Sequence, residues 1–388
     1  MKISIGNPVT GDDFFNREKE QEQIWRKLER NHIMLLAPRR IGKTSLMHRL
    51  CATAEEHKFH ATLTSFAPCE DEMGCVREII KAVSKEQKAG GKFKEVLSRA
   101  ISHIKGVKLS VLGVGGGIDL QTENRADWRE VGEALTKTLA ELEGMHLICV
   151  DELPVFILKL LEGENGRDRA RSFLYWFRDL RQKYRLVRWI LAGSIGMDTV
   201  ASRFRLGDTV NDLDPFPLGA FSEATADLFL ARLAESYDLQ LSAIARQYMI
   251  ERVGWPVPYY LQLLFDKLIS QGNSPTKAMI DTAFEELLSP AYKVHFDYWR
   301  QRLKEELGSP EDGHAVRLLN AVCRDRNGAS RSVLSQVLQE RIQEPEQREE
   351  TMRYLLDVLE NDGYLVSTGD RCRFRLEWLR EYWLRRVA

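Results

Sequence analysis

A mostly parallel α/β sheet, followed by an all-helical stretch and a helix-plus-hairpin module, is the architecture this sequence predicts, and three observations carry it. Four short apolar runs, at residues 32–37, 59–66, 147–151 and 188–193, alternate with stretches of helical periodicity. The first run leads into "PRRIGKTSL" and the third ends in the acid pair Asp151-Glu152. From residue 222 onward the pattern turns helical and closes on two strand-like runs around Thr368-Gly369-Asp370. Alternating strands and helices imply a sheet covered on both faces, with ligands at the carboxyl ends of its strands.

The segment 37–46, "APRRIGKTSL", resembles the phosphate loop G-x-x-x-x-G-K-[ST] with Ala37 in place of the first glycine. Its context is what the chemistry requires. His32 to Leu36 reads as a buried strand, and Ser45 onward continues as a helix with apolar residues at helical spacing. Pro38 and the loop amides of Arg39, Arg40, Ile41, Gly42, Lys43, Thr44 and Ser45 would then surround phosphate at a helix N-terminus, the amides donating to it. Lys43 would reach the β and γ phosphates, Thr44 would ligate Mg2+, and Gly42 would permit close backbone approach. Ala37 sits at the strand exit, where a negative φ suffices and a side chain is tolerated.

A magnesium site needs a carboxylate from a neighbouring strand end. "HLICVDELP" supplies Asp151 to hold the metal's water shell and Glu152 to polarise the attacking water. The fourth run, "VRWILAGSIG", ends at Ser194, a position suited to contact the γ-phosphate or lytic water, although a plain turn residue would look the same. A fifth strand is expected near residues 213–221.

The insertion at 105–124, "KGVKLSVLGVGGGIDLQTEN", carries Gly113, Gly115, Gly116 and Gly117 without a following lysine. Alternation on either side of the glycines reads as an inserted β-hairpin. Residues 222–290 read as helices, the first capped by Ser222. Inside them, "VGWPVPYYLQLL" sets Gly254, Pro256 and Pro258 before a helix, as a helix–helix connection would. Three helices and a hairpin from Gly313 onward form a winged helix. Alternation puts Arg371, Arg373 and Arg375 on one solvated face of its second wing strand. That face would suit a DNA backbone, but 13 arginines against 12 acids over residues 313–388 lack the basic bias of a committed DNA binder and favour a protein or internal interface.

Composition excludes little and directs less. The 388 residues are 44% hydrophobic and 29% charged, with a net charge of −1, so binding to nucleic acid or acidic lipid would need a local patch. The length suggests more than one domain. The first residues lack a basic and apolar leader and no run is long enough to cross a bilayer, so a cytoplasmic protein is expected. Six scattered cysteines without a C-x-x-C pair predict free thiols, with neither zinc nor disulfides.

Taken together, "GDDFFNREKEQEQIW", "PRRIGKTSL", "ICVDELP", "ILAGSIG", "WPVPYYLQLL" and the closing "LREYWLRR" resemble the archaeal-type P-loop ATPases of the STAND class, relatives of AAA+ proteins. The resemblance implies an α/β P-loop NTPase core (ASCE/AAA+-like) over residues 1–221, a helical lid over 222–300 and a winged-helix domain over 301–388. It implies that Asn16-Arg17-Glu18 flanks adenine and that Gly254 with Pro256 or Pro258 forms a nucleotide-facing turn. It also implies slow, Mg2+-dependent ATP hydrolysis with catalytic Lys43, Glu152 and Ser194. The chain departs from the pattern at Leu153-Pro154 and lacks an arginine directly after Ser194. A finger from a neighbouring subunit, Arg203 or Arg205, would fill that gap, which makes a homo-oligomer one expected partner alongside ATP/ADP. The resulting expectation is a nucleotide-dependent switch acting on protein partners in signalling or defence. The alternative is a DNA-binding ATPase resembling origin-recognition or helicase-loading proteins. No membrane partner is expected.

Overall fold

The computed structural model describes residues 1–86, 90–102, 104–111, 118–122, 127–193 and 196–388. Two compact units emerge, and the chain passes between them more than once. One unit holds residues 17–36 and 43–218, the other 1–16, 37–42 and 219–388.

The first unit contains α1 (Glu18–Leu28), β1 (His32–Leu36), α2 (Lys43–Thr53), β2 (Phe59–Ser65), α3 (Glu72–Glu86), α4 (Gly90–Ile101), β3 (Val107–Val111), β4 (Ile118–Thr122) and α5 (Trp128–Glu141). It continues with β5 (Met145–Asp151), α6 (Leu153–Glu162), α7 (Gly166–Lys183), β6 (Val187–Ala192), α8 (Met197–Arg203) and β7 (Leu213–Pro217). Five strands form one parallel sheet in the order β2-β5-β6-β1-β7. All five expected strands are present.

Burial follows position in the sheet. Every residue of β6 is buried, as is β5 after its first, because helices cover both faces of these inner strands. β2 and β7, at the edges of the sheet, mix buried with partly or fully exposed residues. Pro215 and Pro217 lie in β7, whose single neighbour is β1, and an edge is where a strand tolerates residues without an N–H. Trp189 of β6 meets Phe177 of α7 edge-on at 4.7 Å, and Phe173 extends the cluster to Phe156 of α6. Arg188, buried in the same strand, donates to the carbonyls of Leu28 and Glu29 at 2.8 Å, which satisfies the last carbonyls of α1 and fixes the turn into β1. The insertion is an antiparallel hairpin, Val107 pairing with Thr122 and Val111 with Ile118. Gly113 and Gly115 to Gly117 lie outside the described residues.

The second unit contains α9 (Glu223–Ser236), α10 (Ala243–Val253), α11 (Pro258–Ile269), α12 (Lys277–Leu287), α13 (Asp297–Leu307), α14 (Glu311–Val322), β8 (Ala329–Ser330), α15 (Arg331–Gln339), α16 (Pro345–Asn361), β9 (Leu365–Thr368), β10 (Arg371–Phe374) and α17 (Glu377–Arg386). Ser222, Ser242 and Thr276 each accept a backbone N–H three residues on, which starts α9, α10 and α12. Helices α14 to α16 and the small sheet β8-β10-β9 appear in the order expected of a winged helix, with β8 as an added strand. α17 returns to the helical group, where Trp378 stacks on Phe284 at 4.8 Å and Tyr382 on Phe296 at 4.9 Å. The first residues join the same unit: Phe15 packs against Phe229 and Phe221, and Ser4 N donates to Gln262.

All six cysteines are free. No helix among the described residues is long and apolar enough to cross a membrane.

Candidate nucleotide-binding site

β1 runs into residues 37–42, and α2 begins at Lys43. Gly42 has φ +104° with nothing within 4 Å of where a Cβ would stand, so glycine serves the left-handed backbone rather than a lack of room. Arg40 also adopts a positive φ of 68°, whereas Ala37 does not, which is why a side chain there is accommodated. Ile41 is buried and anchors the loop, and Lys43 and Ser45 are buried at the start of α2.

The Thr44 hydroxyl donates to Asp151 Oδ2 at 2.7 Å. Asp151 Oδ1 accepts the Glu152 N–H at 3.0 Å. β5 and β1 are separated in the sheet by β6, so this bond joins the start of α2 to a strand end two places away. Glu152 itself stands at the head of α6 with φ +58°, a strained turn that ends the strand sharply beside the carboxylate. Paired oxygen donors from a hydroxyl and a carboxylate fit Mg2+, which prefers a few protein oxygens and takes the rest of its shell from water and phosphate. The described residues hold no group of three or more His, Cys, Asp or Glu able to enclose a metal.

The other sequence-derived candidates have contacts of their own. Ser194 lies outside the described residues. Arg17, buried with φ +80°, heads α1 and donates to Glu20 at 2.6 Å, an ion pair within its own helix. Gly254 ends α10 at φ +79°, and a Cβ there would lie 2.9 Å from Cβ of Glu377, so the close approach of α17 explains this glycine. Pro256 accepts the Phe221 N–H through its carbonyl, and Pro258 occupies the first turn of α11. Arg203 ends α8 with its guanidinium over Phe204, and Arg205 takes φ +54°.

The expectation of three solvated wing arginines needs correction at one of them. Arg371 and Arg373 are both exposed, as expected, with Arg371 also donating to the carbonyls of Asn327 and Gly328 and pairing with Asp325 at 3.8 Å; Arg375 is the exception. Arg375, one residue past β10, lies over the Trp255 ring at 5.1 Å and donates to Leu365 O, and burial lowers its pKa. Strand alternation ended at Phe374, so it could not place Arg375.

Sequence reasoning missed the partners of the loop arginines. The Arg40 guanidinium lies 3.9 Å from the Tyr259 ring centre and 4.5 Å from that of Tyr298, and Arg39 lies 5.0 Å from the latter. Arg40 also donates to His295 O at 3.3 Å. Burial raises the Tyr259 hydroxyl to about 12, while burial and then Arg40 hold the His295 imidazole below its ordinary value. The cation therefore faces neutral partners. The Pro258-Tyr259-Tyr260 start of α11 was the one available signal, since aromatic residues stood next to the noted prolines.

No family model matches the chain, and no curated protein does. Solved structures do. A Walker-type ATPase of Pyrococcus abyssi superposes with a TM-score of 0.66 at 20% identity, over 98% of this chain and 99% of that one. The fold is that of the P-loop ATPases. The ORC2 protein of Aeropyrum pernix, solved as ADPNP–ADP complexes, superposes with a TM-score of 0.56 at 12% identity, over 97% of this chain and 95% of its own. At these identities the likeness is one of fold, and it extends through the helices and the wing as well as the sheet.

Proposed function

We propose that the chain is an AAA+-type ATPase that binds ATP on residues 37–45 and hydrolyses it, using its nucleotide state to control the C-terminal helices and wing. The single observation that carries this reading is the Thr44–Asp151 hydrogen bond, which joins the loop's hydroxyl to the acid pair at the end of β5. Lys43 would neutralise the β and γ phosphates. Glu152 would orient a water and accept its proton as the water oxygen attacks the γ-phosphorus and the bond to the β-bridging oxygen breaks, releasing ADP. Mg2+ held by Thr44 and Asp151 would add charge to offset the phosphate oxygens. Ser194 as a sensor, Arg17 beside adenine, Pro256 and Pro258 in a lid over 222–300, and Arg203 or Arg205 as a finger in trans are parts of the same proposal.

Two finer readings differ in the output. The fold likeness to the ORC2 protein favours an origin-recognition-like, DNA-binding ATPase. The signalling switch rests on the sequence resemblance to the STAND class. Surface chemistry sets a demanding condition on the first: α16 exposes Glu346, Glu349, Glu350 and Asp357 against Arg353, an acidic face that phosphate backbones repel. Of the wing arginines, Arg373 is the exposed one with no ion pair or ring contact recorded among the described residues.

The test is ATP turnover by the full chain with and without duplex DNA, beside Lys43→Ala and Glu152→Gln. Slow turnover lost in both variants supports the ATPase, and stimulation by DNA selects the origin-recognition-like reading. Turnover that survives Lys43→Ala removes the site.

A further inference from the structure

The upstream half of the phosphate loop is held by the C-terminal helices. Arg40 lies on two tyrosine faces and donates to a backbone carbonyl, an arrangement suited to a planar, delocalised cation. The Tyr259 hydroxyl and His295 Nδ1, 2.6 Å apart, fix one wall of this box. The other wall, Tyr298, belongs to a buried chain of hydrogen bonds. Its hydroxyl meets that of Tyr260 at 3.0 Å, Trp299 Nε1 donates to Tyr260 at 3.0 Å, and the Tyr364 hydroxyl donates to Trp299 O at 2.5 Å. Tyr260, Trp299 and Tyr364 are at most 1% exposed.

That chain ends beside a second contact with the loop. Gly363, at φ +85°, sits so close to Pro38 and Trp255 that a Cβ would come within 2.9 Å of both. Its neighbour Asp362 forms a buried ion pair with Arg302 at 3.3 Å. The turn 362–364, which leads from α16 into β9, is thus tied to loop residue 38 directly and to loop residue 40 through four aromatic side chains.

We propose that Tyr259 and Tyr298 are positioning residues for the phosphate loop, and that phosphate binding is transmitted through Arg40 and the Tyr298–Tyr260–Trp299–Tyr364 chain to the turn that opens the wing. The inference rests on the ATP reading above. Its physical basis is competition: a phosphate offers the guanidinium a charge-assisted bond, stronger than a cation–π contact, so one cation answers to both the ligand and the box.

Hydrogen exchange of the full chain, free and with ADPNP, tests it. In the wild type, ADPNP should alter exchange both at residues 38–42 and at 362–366. Tyr298→Phe keeps the ring and removes the hydroxyl, so ADPNP binding and the response at 38–42 should persist while the response at 362–366 is lost. Tyr298→Leu removes a wall of the box and should change ADPNP affinity about five-fold, the equivalent of roughly 1 kcal/mol. A wild type that binds ADPNP without any change at 362–366, a Tyr298→Phe variant with the full response, or a Tyr298→Leu variant of unchanged affinity would each overturn the proposal and leave the ATP reading intact. A wild type that fails to bind ADPNP overturns both.

Discussion

The two halves of the phosphate loop are built by different means. Downstream, Gly42, Lys43 and Thr44 are set by local requirements: a positive φ, the first turn of α2, and a hydroxyl aimed at Asp151. Upstream, Pro38, Arg39 and Arg40 take their places from groups far along the chain: Arg40 from His295, 255 positions on, and Pro38 from Gly363, farther still. The half that carries chemistry is therefore a motif, and the half that connects it to the rest of the protein is a tertiary contact. The two should fail in different ways when mutated.

The largest expected effect breaks the downstream half alone. Glu152→Gln should lower ATP turnover by about 10²–10⁴-fold, the usual contribution of a positioned base, while ADPNP affinity changes little. Turnover and affinity measured on one preparation check this. Loss of both together would mean that the strained turn at Glu152 has collapsed, taking Asp151 with it.

The same contrast decides what could be read in advance. All five strands of the main sheet and the strand–loop–helix around Gly42-Lys43-Thr44 declare themselves through apolar runs and spacing, because each is a property of a few consecutive residues. β7 was legible despite two prolines because an edge strand accepts them. The box was not. Tyr298 lies in "HFDYWRQ", where nothing distinguishes a tyrosine facing the loop from one packed in a core. Arg375 was misplaced for a related reason: the alternation that orients Arg371 and Arg373 stops one residue short of it.

A second prediction separates the units by pH. In the sheet unit, burial followed by Arg181 and Arg188 lowers the His32 pKa to about 4, and burial followed by His60 lowers His146 to about 4. Between pH 6.5 and 4 the unfolded chain binds protons at these histidines that the folded chain refuses, so stability is full above 6.5 and falls as pH drops toward 4. Each histidine contributes roughly 3 kcal/mol over that window by linkage. Urea unfolding followed across the range should show the fall, and His146→Gln should flatten it. A profile unaffected by the substitution would show that His146 titrates normally.

A third change addresses the upstream half. Gly363→Ala adds a Cβ at φ +85° against Pro38 and Trp255, and should destabilise the C-terminal unit by about 1–3 kcal/mol. Thermal unfolding gives the size of the effect. If the turn transmits loop position, the variant should also alter ADPNP affinity without the catalytic loss of Glu152→Gln; a change in stability alone would confine Gly363 to packing.

The smallest expected effect tests whether the wing arginines divide as their contacts suggest. Arg375→Ala gives up a cation over Trp255 and a bond to Leu365 O, and should cost about 1 kcal/mol of stability. Arg373→Ala, on the exposed face, should cost less than half of that. Because Trp255 also borders Gly363, the Arg375 substitution reaches the upstream half of the loop from its far side, whereas the Arg373 substitution does not. Duplex DNA binding sharpens the division: weakening by Arg373→Ala with a reduced salt slope would assign the exposed arginine to DNA and leave Arg375 to the internal contact. Equal stability losses in the two variants would erase the distinction between the outward arginine and the inward one.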